Sequence, residues 1–402
     1  SFGYKVVSDW LASQNMAPFS FQEEAWEHII NKRSGLVNAP TGCGKTFSVF
    51  LGVLIDFISY NADDYAKKKR NGLQLLWITP LRALAKDIAR AMQEVITGLG
   101  MQWEIGSRNG DTPVVERQRQ RRQMPEVLII TPESLHLLLA HKNYPEIFET
   151  LTTIAVDEWH ELLGSKRGVQ VELGISRIVG MRTGDGRRET GDGKRQSTID
   201  NRALPTANRQ LPTVSVWGIS ATIGNLDQAK QVLLSSLKNT TGELVKANIP
   251  KPIEVISVFP EEIETYPWAG HMGLKLVHKV IDIINNSRTT LIFINTRGMS
   301  ETWYQTLLKE CPDLAGAIAL HHGSIDMEMR TWVEESLHSG LLKAVVCTAS
   351  LDLGVDFRPV ETVIQVGSPK GVARFLQRAG RSGHQPGQVS RIYFLPTHSL
   401  EL

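Results

Sequence analysis

The sequence predicts an α/β protein of two domains, on three observations. Short apolar runs rich in β-branched residues alternate with stretches of helical period, the pattern of parallel strands joined by crossover helices. At 402 residues the chain can form two or three domains of roughly 100 to 200 residues, each with its own core. The two prolines of Ala247-Asn248-Ile249-Pro250-Lys251-Pro252 disfavour helix on either side and read as a short extended linker. The expected division is therefore 1–247 and 248–402.

In the first domain the strands are expected at Gly35 to Asn38, Leu73 to Thr79, Val127 to Thr131, Thr153 to Asp157 and Val214 to Ser220. In the second they are expected at Ile253 to Val258, Thr289 to Asn295, Ala317 to Leu320, Lys343 to Thr348, Thr362 to Val366 and Arg391 to Leu395. Thr183 to Pro212 breaks the rhythm: it is rich in Gly, Arg, Asp, Thr and Asn and too long for a usual connection. It reads as a mobile surface insertion, either a solvated loop or a contact for nucleic acid.

Composition excludes several classes. A chain that is 42% hydrophobic and 21% charged, with no run of about 18 apolar residues, has no membrane role to suggest. Ser1 to Leu11 lacks the features of a secretory signal, so the cytoplasm is expected. Cys43, Cys311 and Cys347 show no disulfide or zinc spacing and are expected to be thiols. The 44 Lys and Arg against 42 Asp and Glu give a net charge of +2, so any nucleic-acid surface must be local. Arg117, Arg119, Arg121 and Arg122 form one such cluster; Arg182 to Arg209, with seven basic and four acidic residues, forms another.

The clearest chemistry lies in Ala39-Pro40-Thr41-Gly42-Cys43-Gly44-Lys45-Thr46, between an expected strand and a helix. A glycine-containing loop there turns backbone N–H groups toward phosphate oxygens, and the helix N-terminus adds positive partial charge. Lys45 would reach the β- and γ-phosphates of ATP, and the Thr46 hydroxyl would join a Mg²⁺ shell. Ala39 stands where the general pattern has glycine, and a plain strand-turn-helix connection is the competing reading.

Thr153-Ile154-Ala155-Val156-Asp157-Glu158 supplies the acids such a loop needs. Asp157 would hold Mg²⁺ through water, and Glu158 would orient or deprotonate the attacking water. Without the loop, the pair would read as an interaction with a helix dipole. Upstream, Gln22 has the donor and acceptor that an adenine edge requires, and Phe19 could stack on the base. A buried Phe beside a surface Gln is the equal alternative there.

The order of further motifs resembles superfamily 2 helicases. Thr79-Pro80-Leu81-Arg82-Ala83-Leu84, Thr131-Pro132-Glu133-Ser134-Leu135, Asp157-Glu158-Trp159-His160 and Ser220-Ala221-Thr222 come first. Ile292 to Arg297, His321-His322-Gly323-Ser324, Thr348 to Asp356 and Gln377 to His384 follow, so nearly the whole chain is covered. Asp157 to Leu162 with Lys166-Arg167-Gly168, Ile219 to Asn225 and Ser382-Gly383-His384 look like the large helicase-related (Lhr) family, and within it the bacterial ligase-associated DEXH-box helicases.

That resemblance implies two tandem RecA-like domains, each a mostly parallel sheet flanked by helices, using ATP and Mg²⁺. It implies that Thr41, Gly42, Cys43, Gly44, Lys45 and Thr46 hold the nucleotide together with Gly354 and Asp356. Arg381, with Arg378 second, would meet the γ-phosphate from the far domain, and Gln377 would position the water or that phosphate. Many relatives end this motif in a third arginine; here it is His384. Thr79, Arg82, Arg108, Asp111, Thr112, Thr131, Thr296, Arg297 and Thr348 would grip the strand, largely through phosphates, while His160, Ser220 and Thr222 would couple hydrolysis to movement.

The activity implied is 3′ to 5′ movement on single-stranded DNA, in a repair setting beside an ATP-dependent DNA ligase and a metallo-β-lactamase-fold exonuclease. An RNA helicase or remodeller shares the same motifs, and so would an ATP-gated clamp that recruits repair partners. The family continues into a winged-helix and further domains, so this chain is expected to be a motor core. His321-His322 reads as a strand-end turn in preference to a metal site.

Overall fold

The computed structural model describes residues 1–40, 42–80, 82–183, 213–221, 223–237, 240–249, 252–260, 272–352, 360–369, 371–383, 389–398 and 401. From 184 onward the expected insertion lies outside the described residues, as do Pro250 and Lys251 of the expected linker. The chain divides into two compact units. Ser1–Val37, Thr46–Ser220 and Asn225–Val245 form the first; Asn38–Lys45, Ala221–Gly224 and Lys246–Leu402 form the second.

The first sheet contains β1 (Gly35–Asn38), β2 (Leu75–Ile78), β3 (Ile105–Arg108), β4 (Val127–Ile130), β5 (Thr153–Val156), β6 (Ser215–Ser220) and β7 (Glu243–Lys246). Its order is β3-β4-β2-β5-β6-β1-β7, and β3, β4, β2, β5 and β6 run parallel. Strands β2, β4, β5 and β6 are buried at every position, as strands covered on both faces must be, and this produces the unbroken apolar runs seen in the sequence. β3 and β7 were not expected. They are the two outer strands, and Ile-Gly-Ser-Arg and Glu-Leu-Val-Lys carry polar residues that an edge tolerates.

The second sheet holds β8 (Ile253–Ser257), β9 (Thr290–Ile294), β10 (Ile318–His321), β11 (Ala344–Cys347), β12 (Thr362–Val366) and β13 (Ser390–Leu395). It is wholly parallel, in the order β10-β11-β9-β12-β13-β8. All six lie where the apolar runs placed them, with no end shifted by more than one residue. Alternate residues of β9 feed two cores: Ile292 and Ile294 pack with Trp303 and Val280 on one face, Leu291 and Phe293 with Val333 and Leu337 on the other.

Two helices of the first unit set the nucleotide-loop region. Ser20–Ile30 is locked to Lys45–Tyr60 by Trp26, whose Nε1 donates to the Phe47 carbonyl at 3.0 Å. Gly52 permits their close approach, because a Cβ there would stand 2.8 Å from the Ile29 Cδ1.

Candidate nucleotide and nucleic-acid sites

After β1 the chain passes through Gly42 at φ +82° and Gly44 at φ +68°, so both glycines occupy the left-handed region. Cys43 between them is buried, Lys45 is the first residue of its helix and buried, and Thr46 follows half-buried. Thr41 lies outside the described residues. Phe19 precedes the helix Ser20–Ile30, and its N–H donates to Oε1 of Gln22 at 2.9 Å. That bond satisfies one of the helix's free N-terminal donors and fixes the Gln22 amide, a capping role the sequence reading did not assign. The Phe19 ring stacks on Phe21 at 5.9 Å.

The acidic pair sits at the tip of β5 with both side chains largely out of solvent. Asp157 Oδ1 accepts the Glu158 N–H at 2.9 Å. Glu158 itself adopts φ +47°, ψ 45°, a conformation costing a non-glycine residue about 1–2 kcal/mol. Strain held at a buried carboxylate points to a positional demand on that group. His160 lies beside it, with Nδ1 3.4 Å from Glu158 Oε2 and 3.1 Å from the Ser220 hydroxyl. One imidazole nitrogen thus touches both the candidate base and the strand end of the Ser220-Ala221-Thr222 motif; Thr222 is outside the described residues. Trp159 fixes the intervening turn by donating Nε1 to the Ala229 carbonyl at 2.9 Å.

The residues just past the strand ends form a row. Asp157 N–H donates to Ile78 O at 2.8 Å, Thr79 N–H to Ile130 O at 3.0 Å, and Thr131 N–H to Arg108 O at 3.3 Å. Each bond continues a parallel ladder one step further, so Thr131, Thr79 and Asp157 lie side by side past β4, β2 and β5, with Arg108, the last residue of β3, one step behind in register with Ile130. Carboxyl ends of parallel strands are where α/β sheets carry ligands. Thr131 Oγ1 donates to Ser134 Oγ at 3.1 Å, and Thr79 is fully buried. Arg82 opens the helix Arg82–Gly98.

Thr112 and Asp111 are engaged within their own turn. Thr112 Oγ1 accepts from Asn109 N–H at 2.9 Å and donates to Ser107 O at 3.2 Å, while Asp111 N–H donates to Asn109 Oδ1 at 2.9 Å. Arg167, quoted among the family motifs but given no role, bridges two loops of the row: Nη1 donates to Pro80 O at 3.0 Å and Nε to Glu133 Oε1 at 2.6 Å. Burial pushes the Glu133 carboxyl up, but backbone hydrogen bonding and Arg167 outweigh it and leave the group below its ordinary value.

In the second unit Thr296 caps the helix Arg297–Glu310, accepting from Met299 N–H at 3.4 Å. Arg297 Nη1 donates to Ser324 Oγ, joining the loops after β9 and β10. Thr348 N–H donates to His321 O at 3.3 Å, so it extends the β11 edge. His321, the last residue of β10, has Nδ1 2.8 Å from Ser350 Oγ and Nε2 3.2 Å from Glu334; His322 lies 3.2 Å from Glu301. Gly354, Asp356 and His384 fall outside the described residues.

The helix Val372–Ala379 carries Gln377 and Arg378, both buried. Arg378 is fully engaged within this unit: Nε and Nη2 donate to the two Asp352 carboxylate oxygens at 2.6 and 3.0 Å, and Nη1 to Gln365 Oε1 at 2.6 Å. Its guanidinium also lies 4.7 Å from the Phe293 ring centroid. These bonds tie the helix to Asp352 and Gln365 through Arg378, the residue expected second at the γ-phosphate. Arg381, one turn beyond, donates Nη2 to the Asp352 backbone carbonyl at 2.8 Å, and Arg374 Nε reaches Asp352 Oδ2 at 3.3 Å. Asp352 is thus the anchor of the arginine segment, a residue the sequence reading missed. An acid flanked by Leu351 and Leu353 would have been its one signal, because a carboxylate in an apolar run needs a buried partner.

The three cysteines are free thiols, and among the described residues no helix is long and apolar enough to cross a membrane.

Residues 19–229, just over half of the 402, match the model of the DEAD/DEAH box helicase family, and 274–385 match that of the helicase conserved C-terminal domain. The chain is 32% identical over 405 residues to the ATP-dependent helicase Lhr-Core of Methanothermobacter thermautotrophicus, an alignment covering 96% of this chain and 43% of the relative. It is 31% identical over 438 residues to the Lhr helicase/uracil glycosylase of Escherichia coli, covering 97% and 27%. Among solved structures it resembles the helicase Lhr of Mycobacterium smegmatis bound to ssDNA and AMP-PNP, with a TM-score of 0.76 and 28% identity over 98% of this chain and 48% of that one. The chain spans less than half the length of each of these proteins. With both family models matched in order and Lhr relatives aligned over almost all of its length, the chain belongs to the DEAD/DEAH box helicase family and is of the Lhr type.

Proposed function

We propose that this chain is an ATP-hydrolysing motor that moves 3′ to 5′ along single-stranded DNA and serves in DNA repair. The observation that carries the reading is the row Thr131, Thr79 and Asp157, with Arg108 bonded to it from one step behind on β3. It joins a carboxylate suited to nucleotide chemistry and three groups suited to phosphates through consecutive ladder bonds, a stiff connection between the two ligands. A relative solved with ssDNA and AMP-PNP supports DNA as the strand.

The donor set fits a magnesium nucleotide. Gly42 and Gly44 hold the loop at the left-handed φ values of an anion-cradling turn, and the Thr46 hydroxyl and Asp157 carboxylate are the hard oxygen donors Mg²⁺ takes. When bound, Mg²⁺ would neutralise charge on the phosphates. Lys45 would hold the β- and γ-phosphates, and Glu158 would orient the attacking water and accept its proton. Gln22 and Phe19 would take the adenine, and Gly354 and Asp356 also contact the nucleotide. Gln377 and Arg381 act on the water and the γ-phosphate; Arg378 positions them. Thr296, Arg297 and Thr348 add strand contacts on the second unit, and an ATP-dependent DNA ligase and a metallo-β-lactamase-fold exonuclease are the partners proposed.

Tailed duplexes test this. With ATP, the chain should displace the strand from a 3′-tailed DNA duplex and leave a 5′-tailed one intact. Preference for the 5′ tail would overturn the polarity, and displacement confined to RNA tails would overturn the DNA assignment.

A further inference from the structure

Arg108 ends β3 with its side chain almost wholly buried; the residue is only 4% exposed. Its Nη1 is shielded from solvent and has no hydrogen-bond partner, and no carboxylate pairs with it among the described residues. Its charged neighbours have the same sign. Burial first, and then the like charges of Arg121 and Arg117, depress the Arg108 guanidinium below its ordinary value. Arg121 Nη2 lies 2.9 Å from Nε2 of His141, whose affinity for a proton is lowered by burial and by both Arg121 and Arg108.

Glu104 and Glu116 pair with Arg119 at 3.4 and 3.2 Å. Arg117 spends its donors on the carbonyls of Thr112, Gly110 and Asn109. A desolvated guanidinium facing other cations is costly unless an anion completes it. Arg121 is exposed and His141 half-buried, so these two members of the group meet solvent while Arg108 is covered.

We propose that Arg108, Arg121 and His141 form a pocket for one phosphodiester of the bound strand, at the β3 edge of the first sheet. Arg121 and His141 lie outside every helicase motif in the chain, and the proposal rests on the reading of the chain as a DNA motor. Arg108 binds the phosphate from below, charge-assisted and already dehydrated. Arg121 closes from the rim, with neutral His141 accepting from it and holding its planar head in place. The pocket reads no sequence, as suits a motor that must release and rebind the backbone at each step.

The test measures binding of a single-stranded oligo-dT to the whole chain at several salt concentrations, for wild type and for Arg108→Gln, Arg121→Gln and His141→Ala. One lost phosphate contact should weaken binding by roughly tenfold at low salt and flatten log K against log[salt] by about 0.7. Arg108→Gln and Arg121→Gln should each do so, and the double variant should flatten it no further, because both serve one phosphate. Melting temperature supplies a separate readout. Arg108→Gln should raise it, since an unpartnered buried charge is removed, whereas a merely structural arginine would lower it. Unchanged slopes with wild-type affinity would overturn the pocket while leaving the motor reading intact. Absence of any oligo-dT binding by the wild type would overturn the motor reading, and the pocket with it.

Discussion

Replacing Asp352 by alanine should unfold the second unit far more readily than an ordinary polar truncation. The Asp352 side chain is 5% exposed and that of Arg378 2%. The substitution strips Arg378 of both carboxylate oxygens and leaves it Gln365 Oε1 and the Phe293 ring. Removing one member of a buried ion pair costs about 3–5 kcal/mol, because the survivor stays desolvated. The partly exposed Arg374 adds at most about 1 kcal/mol. Against a total of about 5–15 kcal/mol for a domain, that is about a fifth or more of its stability. For a unit of this size each kcal/mol moves the midpoint by about 2–4 °C, so a fall of roughly 6–24 °C is expected.

Hydrogen exchange of the β9, β11 and β12 amides, followed against urea, isolates this unit from the first. The companion variant is Asp352→Ala with Arg378→Met, which removes charge and counter-charge together. It should recover at least about 2 kcal/mol of the loss, because a buried pair replaced by apolar groups is often neutral. A single-variant cost under about 1 kcal/mol, or strict additivity in the double variant, would refute the view that Asp352 anchors the arginine segment.

Three further outcomes follow from local geometry. Asparagine accepts the φ of +47° held by Glu158, so Glu158→Asn should fold with unchanged or slightly higher stability yet hydrolyse ATP at least about 100-fold more slowly; turnover within about tenfold of wild type would remove Glu158 from the chemistry. At Gly44, φ +68°, alanine should cost about 1–2 kcal/mol of loop strain and weaken binding of a non-hydrolysable ATP analogue by calorimetry, and wild-type affinity would contradict the phosphate-loop assignment. Burial pushes the Glu401 carboxyl up, but hydrogen bonds from Thr397 and Ser368 outweigh it and hold the folded value below the unfolded one. Its contribution is therefore complete above the ordinary carboxylate value and is lost as pH falls through the depressed one. Acid unfolding of Glu401→Gln should lose less stability across that window than wild type; equal losses would count against the reading.

Interior strands were legible because a strand covered on both faces must be apolar throughout, as Leu75–Ile78 and Val127–Ile130 are. β3 and β7 escaped because their short runs are broken by polar or small residues, Gly106, Ser107 and Arg108 in one and Glu243 and Lys246 in the other. The nucleotide loop was legible for a related reason: glycine at 42 and 44 is required by backbone angle, and such needs are written in residue type. Partnership between distant side chains is not. Asp352 and Arg378 are 26 positions apart, and nothing in either segment names the other. The same holds for His160 with Ser220, and for Arg121 with His141, pairs made only when the chain folds distant segments together. Gln22 shows the opposite error, since its capping bond to Phe19 was local and could have been read from the Gln three residues into a helix.

The central claim is that one site binds ATP and couples its hydrolysis to a DNA strand. ATP turnover with and without single-stranded DNA, at fixed salt, tests it in wild type, Lys45→Ala and Glu158→Gln. Wild type should be stimulated several-fold by the strand. Both variants should lose the stimulated rate, while Glu158→Gln still binds nucleotide and DNA. Stimulated turnover persisting in both variants, or a wild-type rate indifferent to DNA, would contradict the claim.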